Sequence, residues 1–464
     1  MNGNTVAVLL GVTQAFALTL SVSFIVYVLV IIVPYLRHRP GDTGDPASFE
    51  WHFFVPCRDE DPVIGATIGY LRQTFPDAHV WIIDDDSDDE TIEAVAAAAA
   101  TAGRGVRPDP FVHLVRRYRP DARTGKGAAL NQAYRELMAW RGEGAGLSEV
   151  IVGVVDADGR PAPNCLDVCA AKHLFGDAGI GAVQLDVRML NRDVEPDAPT
   201  WWGRKFGLKL AQVQDLEFRT AIAAIQTSRG FTGTIAMGGN GQFTRLSALY
   251  SIAGGTATPW RGSLLEDFEL GVHLLTGGWR TAFTPDSHVE QEGLYSLRRF
   301  LTQRTRWGQG TMQCSRYVRQ IWDSPHLSTL GAGEMLYYLA QPWLQLLGTV
   351  LYPIPFLILV SSGISEPDQV WSWFAGDGWI LFAIYGTFGI LPFAVWGPVY
   401  YRKCLQRKGF VRGIGMGLAY ALYVYTFYIT SWRALFRIVR RRNGWAKTRR
   451  NTELTGSGKV ALDR

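Results

Sequence analysis

Ile151-Val152-Gly153-Val154-Val155-Asp156-Ala157-Asp158-Gly159 is the stretch that decides the fold. Five apolar or small residues, rich in β-branched side chains, read as a strand buried on both faces, as in a parallel sheet. The run stops at two carboxylates separated by one residue. An open parallel sheet presents its ligands beyond the carboxyl ends of its strands. Asp156 and Asp158 so placed can share a hard divalent cation, which in turn neutralises a diphosphate. Asp-x-Asp alone is a weak motif.

Outward from this stretch, residues 51–283 keep the same pattern of short apolar runs ending in Gly, Asp or Pro and alternating with longer helical stretches. Strands are expected at 51–55, 79–83, 151–155 and 182–185, and helices at 93–102 and 128–140. The fold class is therefore α/β with a mostly parallel sheet. The strand at 79–83 runs into Asp84, Asp85, Asp86, Ser87, Asp88 and Asp89, a costly acidic cluster unless it caps a helix or meets a cation. Gly125-Lys126-Gly127 opens a helix and has the character of an anion cradle, but lacks the remaining features of a Walker loop. Glu266 and Asp267 precede an amphipathic helix, where a carboxylate can serve as general base.

The flanks differ. The chain of 464 residues is 47% hydrophobic and 19% charged, with a mean hydropathy of +0.03, a mixture of soluble and membrane-like parts. Residues 5–36 carry no formal charge, roughly the length that crosses a bilayer with tilt to spare. Arg37, His38 and Arg39 follow, so the segment reads as a retained anchor with the rest of the chain on the cytosolic side. Further apolar runs at 335–360, 379–401 and 413–430 are candidate spans, with 361–378 outside. The expectation is an integral, multi-pass inner-membrane protein whose catalytic domain is cytosolic. The net charge of +4 is small, and its cations cluster at 298–306, 402–412 and 437–450 beside apolar runs. That placement points to lipid headgroups or an anionic substrate rather than nucleic acid. The five cysteines have no metal-site spacing and read as packing residues. Gln303-Arg304-Thr305-Arg306-Trp307 lies on a basic amphipathic stretch, with Gln303, Arg306 and Trp307 on one face; taken alone, it would be an interfacial anchor.

In this order, the motifs resemble the membrane-bound family 2 glycosyltransferases, the group that includes cellulose, chitin and hyaluronan synthases. The resemblance runs from about residue 55 to 450. It implies a GT-A-like domain over 50–293, set between an N-terminal transmembrane anchor at 1–39 and interfacial helices at 294–330. Transmembrane helices at 331–436 and a basic tail at 437–464 would complete the chain. By the same resemblance Glu60, Asp84, Asp85, Lys126, Asp156, Gln303 and Arg306 contact the nucleotide, and Asp156 and Asp158 hold Mg²⁺ or Mn²⁺. Asp267 is the catalytic base, while Gly239, Asn240, Glu266 and Trp307 face the acceptor. Trp445, Lys447, Thr448 and Arg449 match a gating segment. Asp86 stands where the family has glycine, and Leu294 where it has proline.

The resemblance implies inverting, metal-dependent transfer of a hexose or N-acetylhexosamine from a nucleotide diphosphate sugar, taken as a UDP-sugar. The leading expectation is a growing β-linked polysaccharide acceptor with export coupled to synthesis, in which Trp343, Trp371, Trp373 and Trp396 could line a channel. Transfer of one sugar to a lipid or short acceptor is the close alternative. A non-enzymatic transporter or channel and a nucleotidyltransferase fit the motifs less well. Three full spans would leave the tail outside, whereas its basic character places it in the cytosol.

Overall fold

The computed structural model describes residues 3–102, 109–142, 146–354 and 379–442, with positions 357, 368, 371, 372, 375 and 444. Helix α1 (Gly3–Arg37) leads into β1 (Glu50–Cys57), α2 (Asp61–Thr74), β2 (His79–Asp85) and α3 (Thr91–Ala102). Then come β3 (Val112–Arg117), α4 (Lys126–Arg141), β4 (Val150–Val154), β5 (Arg160–Pro161) and α5 (Cys165–Cys169). Strand β6 (Ile180–Met189) is followed by α6 (Trp201–Leu216), a π turn (Glu217–Ile222) and α7 (Ala223–Arg229). The sheet is completed by β7 (Gln242–Arg245) and β8 (Arg280–Gln291), between which lie α8 (Leu246–Ala253) and α9 (Glu266–Thr276). Beyond it stand α10 (Leu297–Cys314), α11 (Val318–Trp322), α12 (Thr329–Leu351), α13 (Trp379–Ala394), α14 (Trp396–Val399) and α15 (Phe410–Val439).

The strands pair in the order β3-β2-β1-β4-β7-β6-β8-β5. Strands β3, β2, β1 and β4 run parallel, as do β6 and β8. The other pairings, β4–β7, β6–β7 and β5–β8, are short and antiparallel, so the sheet is mixed, with most of its pairing parallel. Strand β7 escapes a hydrophobic reading because its buried residues include Gln242, Thr244 and Arg245. Strand β3 is half exposed on one face, which removes the continuous apolar run that marks its neighbours.

Alternation along β1 sends its side chains to both faces. Phe53 and Val55 join a buried cluster with Ile64, Ile68 and Leu71 of α2, and Phe54 joins another with Leu130, Ala133 and Leu137 of α4. The helical spacing of each set makes one stripe per helix, and full burial of a side chain of this size contributes about 1.5–3 kcal/mol. The layered core thereby holds the carboxyl ends of β1, β2 and β4 on one edge. Cys57, Cys165, Cys169 and Cys314 are free and buried, as packing residues should be.

Where they are described, the apolar runs are helical, but among the described residues no helix is long and apolar enough to cross a membrane. Helix α13 has only 16 residues, and α15 interrupts its apolar residues with glycines and tyrosines. Residues 413–430, expected as a span, belong to a helix that lies beside α10. Tyr423 packs on Phe300 with ring centres 4.8 Å apart, and Arg437 Nε donates to Gln309 Oε1 at 2.6 Å. Gln309 Nε2 in turn donates to the Arg442 carbonyl at 2.9 Å. The chain after α15 therefore returns to the helix that carries Gln303 and Trp307. Trp445, Lys447, Thr448 and Arg449 lie outside the described residues.

Helices α13 and α14 meet α15 through glycine faces. A Cβ on Gly417 would stand 2.0 Å from the Ala394 carbonyl oxygen, and one on Gly397 would stand 2.0 Å from that of Gly413. Gly415, two residues from Gly417 on the same helix, has nothing within 4 Å. Alanine in an open helical position stabilises by roughly 0.5–1 kcal/mol over glycine, whereas a methyl driven into backbone forces the helices apart. Gly415→Ala is expected to keep or raise the melting temperature in detergent and Gly417→Ala to lower it; a rise in both would refute the close crossing.

Candidate active site

Carboxylates and one lysine from four parts of the chain meet at the edge where β1, β2 and β4 end. Strand β2 brings Asp84 and Asp85, the turn after β4 brings Asp156 and Asp158, and the first turns of α4 and α9 bring Lys126, Glu266 and Asp267. Asp85, Lys126, Asp156, Glu266 and Asp267 face a cavity of about 1300 Å³ lined also by Glu60, Asn240, Gln303, Arg306 and Trp307. Asp84, Asp158 and Gly239 are not part of its lining. The cavity continues away from the sheet between α1, α12, α13 and α15, where Tyr352, Phe393, Val424 and Tyr428 line it.

Lys126 is the hub. Its Nζ donates to Asp156 Oδ1 at 2.7 Å and lies 3.9 Å from Glu266 Oε1. Burial works against the ammonium charge, but Asp156, Glu266 and Asp267 outweigh it and hold Lys126 above the ordinary lysine range. Burial also raises Glu266, with Lys126 pulling the other way. Asp267 is pushed up to about 7 by burial and then by the charge of Glu266. Its Oδ1 accepts the Phe268 amide at 2.7 Å, which fixes the carboxyl at the positive end of α9. Gly239, with φ +79°, passes so close that a Cβ there would lie 2.8 Å from Asp267 Oδ2. Only glycine leaves the base accessible at that point.

The two aspartates at the end of β2 do different things. Asp84 accepts the Ser87 amide at 3.3 Å and shapes the turn. Asp85 pairs with Arg117 through Oδ1, while its Oδ2 is buried with no hydrogen-bond partner among the described residues. A buried carboxylate oxygen so left is costly, and a nucleobase N–H at the cavity wall would satisfy it. Asp86 adopts φ +65°, the left-handed conformation that suits the glycine which the family resemblance implies at this position. Arg119 Nε at 2.7 Å and Arg123 Nε at 3.1 Å hold its carboxylate there. Leu294 departs from proline for a similar local reason: its amide donates to Gln214 Oε1 at 3.1 Å, a bond proline cannot make.

Asp156 and Asp158 are the residues that would hold a divalent cation. Asp158 Oδ2 accepts the Glu292 amide at 2.9 Å, and among the described residues no three His, Cys, Asp or Glu side chains form a metal cage. Two carboxylates suffice for Mg²⁺ or Mn²⁺ when diphosphate and water complete the shell, so the donor set fits. Asn240 acts as a strut: its Oδ1 accepts the Asp156 amide at 3.1 Å and its Nδ2 donates to Gln291 Oε1 at 2.9 Å. Gln291 and Glu292 themselves line the cavity. Sequence reading passed over both, because they sit at the end of a partly polar strand with no motif around them.

Helix α10 brings Gln303, Arg306 and Trp307 to the cavity as its spacing predicts. Arg306 lies near enough to Glu266 to oppose the effect of burial on it. Of the tryptophans expected along a channel, Trp396 lines the cavity, Trp343 and Trp371 are exposed, and Trp373 lies outside the described residues.

Comparison with known proteins agrees with this edge. Residues 50–310 match the family described as glycosyltransferase like family 2. A Synechocystis protein named beta-monoglucosyldiacylglycerol synthase is 29% identical over 284 residues, 60% of this chain and 51% of its own length. The chain thus spans about half the length of that relative. A Trichormus variabilis protein of the same name is 26% identical over 378 residues, 78% of this chain and 71% of its own. The mannosyltransferase PcManGT from Pyrobaculum calidifontis, solved with GDP-Man and Mn²⁺, has a TM-score of 0.57 at 17% identity. That superposition covers 92% of this chain and 99% of the other, and is a likeness of fold. Since the family match takes in the whole sheet, the carboxylates at its edge and most of α10, this chain belongs to glycosyltransferase family 2 and is a glycosyltransferase.

Proposed function

We propose that this protein transfers a single glucosyl residue from UDP-glucose to the free hydroxyl of a diacylglycerol-type lipid, with inversion at the anomeric carbon. The observation that carries the reading is the shape of the cavity, one continuous space from Asp85, Lys126 and Asp267 to the apolar side chains of α12, α13 and α15. Pockets for single small ligands occupy about 300–1,000 Å³, so about 1300 Å³ leaves room for a donor beside a long apolar acceptor. The names of the two relatives support the same acceptor. The polysaccharide reading rests on Gln303, Arg306 and Trp307, which a lipid transferase requires equally, and gives way to the single transfer.

In this mechanism, Asp85 and Lys126 seat the nucleotide at the sheet edge. Asp267 takes the proton from the acceptor hydroxyl as its oxygen attacks the anomeric carbon, and the nucleoside diphosphate departs on the opposite side. Arg306 stabilises the departing charge. Asp156 and Asp158 would hold Mg²⁺ or Mn²⁺, whose contribution is to neutralise the diphosphate. A hydroxyl nucleophile needs a base and a phosphate nucleophile does not, so a carboxyl raised to about 7 favours a hydroxyl acceptor. Embedding in a membrane is part of the proposal. Val22, Val26, Leu29, Leu347, Leu418 and Leu422 stand exposed on α1, α12 and α15, an apolar surface that a bilayer would cover. With α15 beside α10, α12 and α13 are the pair that would enter the bilayer and return.

Purified protein in mixed micelles, given UDP-glucose, Mn²⁺ and dioleoylglycerol, is expected to yield one glucosylated lipid and UDP, with EDTA stopping both. A ladder of products, or sugar passing only to carbohydrate, would sink the lipid reading.

The base requirement sets a pH dependence. Asp267 must be ionised to accept a proton, so kcat/KM is expected to fall about tenfold per unit of acidification below the value of about 7 set by its burial. Asp267→Asn should lose on the order of 10³-fold in kcat and still bind UDP; near-wild-type turnover would remove Asp267 from the mechanism.

A further inference from the structure

The π turn that follows α6 sets Glu217 against α10, and π segments inside helices often mark functional sites. Glu217 grips Arg304 with both oxygens: Nη1 donates to Oε1 at 3.1 Å and Nη2 to Oε2 at 2.5 Å. Tyr423 of α15 closes the ring, its hydroxyl donating to Glu217 Oε2 at 2.6 Å and accepting from Arg304 Nη2 at 2.8 Å. All three side chains are buried. The guanidinium carbon of Arg304 lies 4.2 Å from the centre of the Trp307 ring, and Phe218 meets the same indole edge-on at 6.3 Å. One face of Trp307 is thus backed by a fixed cation, while the residue also lines the reaction cavity.

A buried ion pair adds little stability over an apolar substitute, but a bidentate one satisfied by a third group imposes a geometry. Lysine at position 304 could not reproduce the planar fork or the stacking. We infer that Glu217, Arg304 and Tyr423 are positioning residues that hold the Trp307 indole as the platform on which the acceptor lies. They also tie that platform to α15, the helix that lines the apolar arm of the cavity. The inference rests on the reading of Trp307 as an acceptor contact, and it assigns a specific task to a charge cluster that would otherwise only join three helices.

The test is a pair of double-mutant cycles on acceptor KM, measured with dioleoylglycerol in mixed micelles. Trp307→Ala is expected to raise acceptor KM on the order of tenfold, Glu217→Gln about fivefold and Tyr423→Phe about twofold, with donor KM unchanged. Each double variant with Trp307→Ala should be no worse than Trp307→Ala alone, because the clamp acts through the indole. Additive effects would overturn the clamp while leaving the acceptor role of Trp307 standing. An unchanged acceptor KM in Trp307→Ala, or no wild-type transfer to the lipid, would overturn the acceptor reading and the clamp with it. Tyr423→Phe removes one hydroxyl only, so its cycle decides the matter even if Glu217→Gln does not fold.

Discussion

A single ammonium group, Lys126 Nζ, stands among the carboxylates of Asp156, Glu266 and Asp267. The active site is organised around that imbalance of charge. Burial, and then the charge of Glu266, push Asp267 up to about 7, with Lys126 acting against them. The edge pays for this arrangement in desolvation and gains a carboxyl that titrates close to physiological pH. An incoming diphosphate adds further negative charge to the same edge. Coulomb repulsion between it and Asp156 is relieved only if a divalent cation stands between them, which is the physical reason the Asp156–Asp158 pair and a metal belong together.

Much of that edge is legible in the sequence, because strands that are buried on both faces announce themselves as apolar runs and their termini are therefore located to within a residue or two. Asp85 and Asp156 are found this way, Lys126 by the glycines that flank it at the opening of a helix, and Glu266 and Asp267 by the amphipathic helix that follows them. Legibility fails where a residue owes its place to a partner far away in the chain. Glu217 lies in an ordinary helical stretch and acquires a function only when the π turn faces it to Arg304, 87 residues on. Arg304 sits inside a recognised motif, yet helical spacing singles out Gln303, Arg306 and Trp307, and only the fold shows Arg304 lining the same cavity against the Trp307 ring. Strand β7 is missed because its buried residues include Gln242 and Thr244, whose side chains are joined by a hydrogen bond from Gln242 Nε2, and no hydropathy pattern records such a pair.

The two departures from the family pattern carry the same lesson. Glycine at position 86 would meet the left-handed backbone at no steric cost. Asp86 meets it with φ +65° and two arginines drawn onto its carboxylate, so the conformation is retained by different means. Leu294 donates to Gln214, and Gln214 Nε2 donates back to the Leu294 carbonyl at 2.8 Å. A reciprocal amide clasp thus fixes the entry to α10 that a proline ring would otherwise stiffen.

The same dependence on distant partners decides the path of the C-terminal chain. Counted from hydropathy alone, three apolar runs after the sheet give an odd number of crossings and strand the basic tail on the far side. Tyr423 and Arg437 both reach α10, so α15 lies beside the helix that carries Gln303 and Trp307. Helix α15 forms a wall of the cavity. Its tyrosines and glycines, which weaken it as a lipid-facing helix, are the residues that let it pack against α10, α12 and α14. Through Tyr423 this wall is tied to the buried Glu217–Arg304 pair, so α15, the π turn and α10 are joined at one hydrogen-bonded cluster beside the cavity that Asp267 also lines.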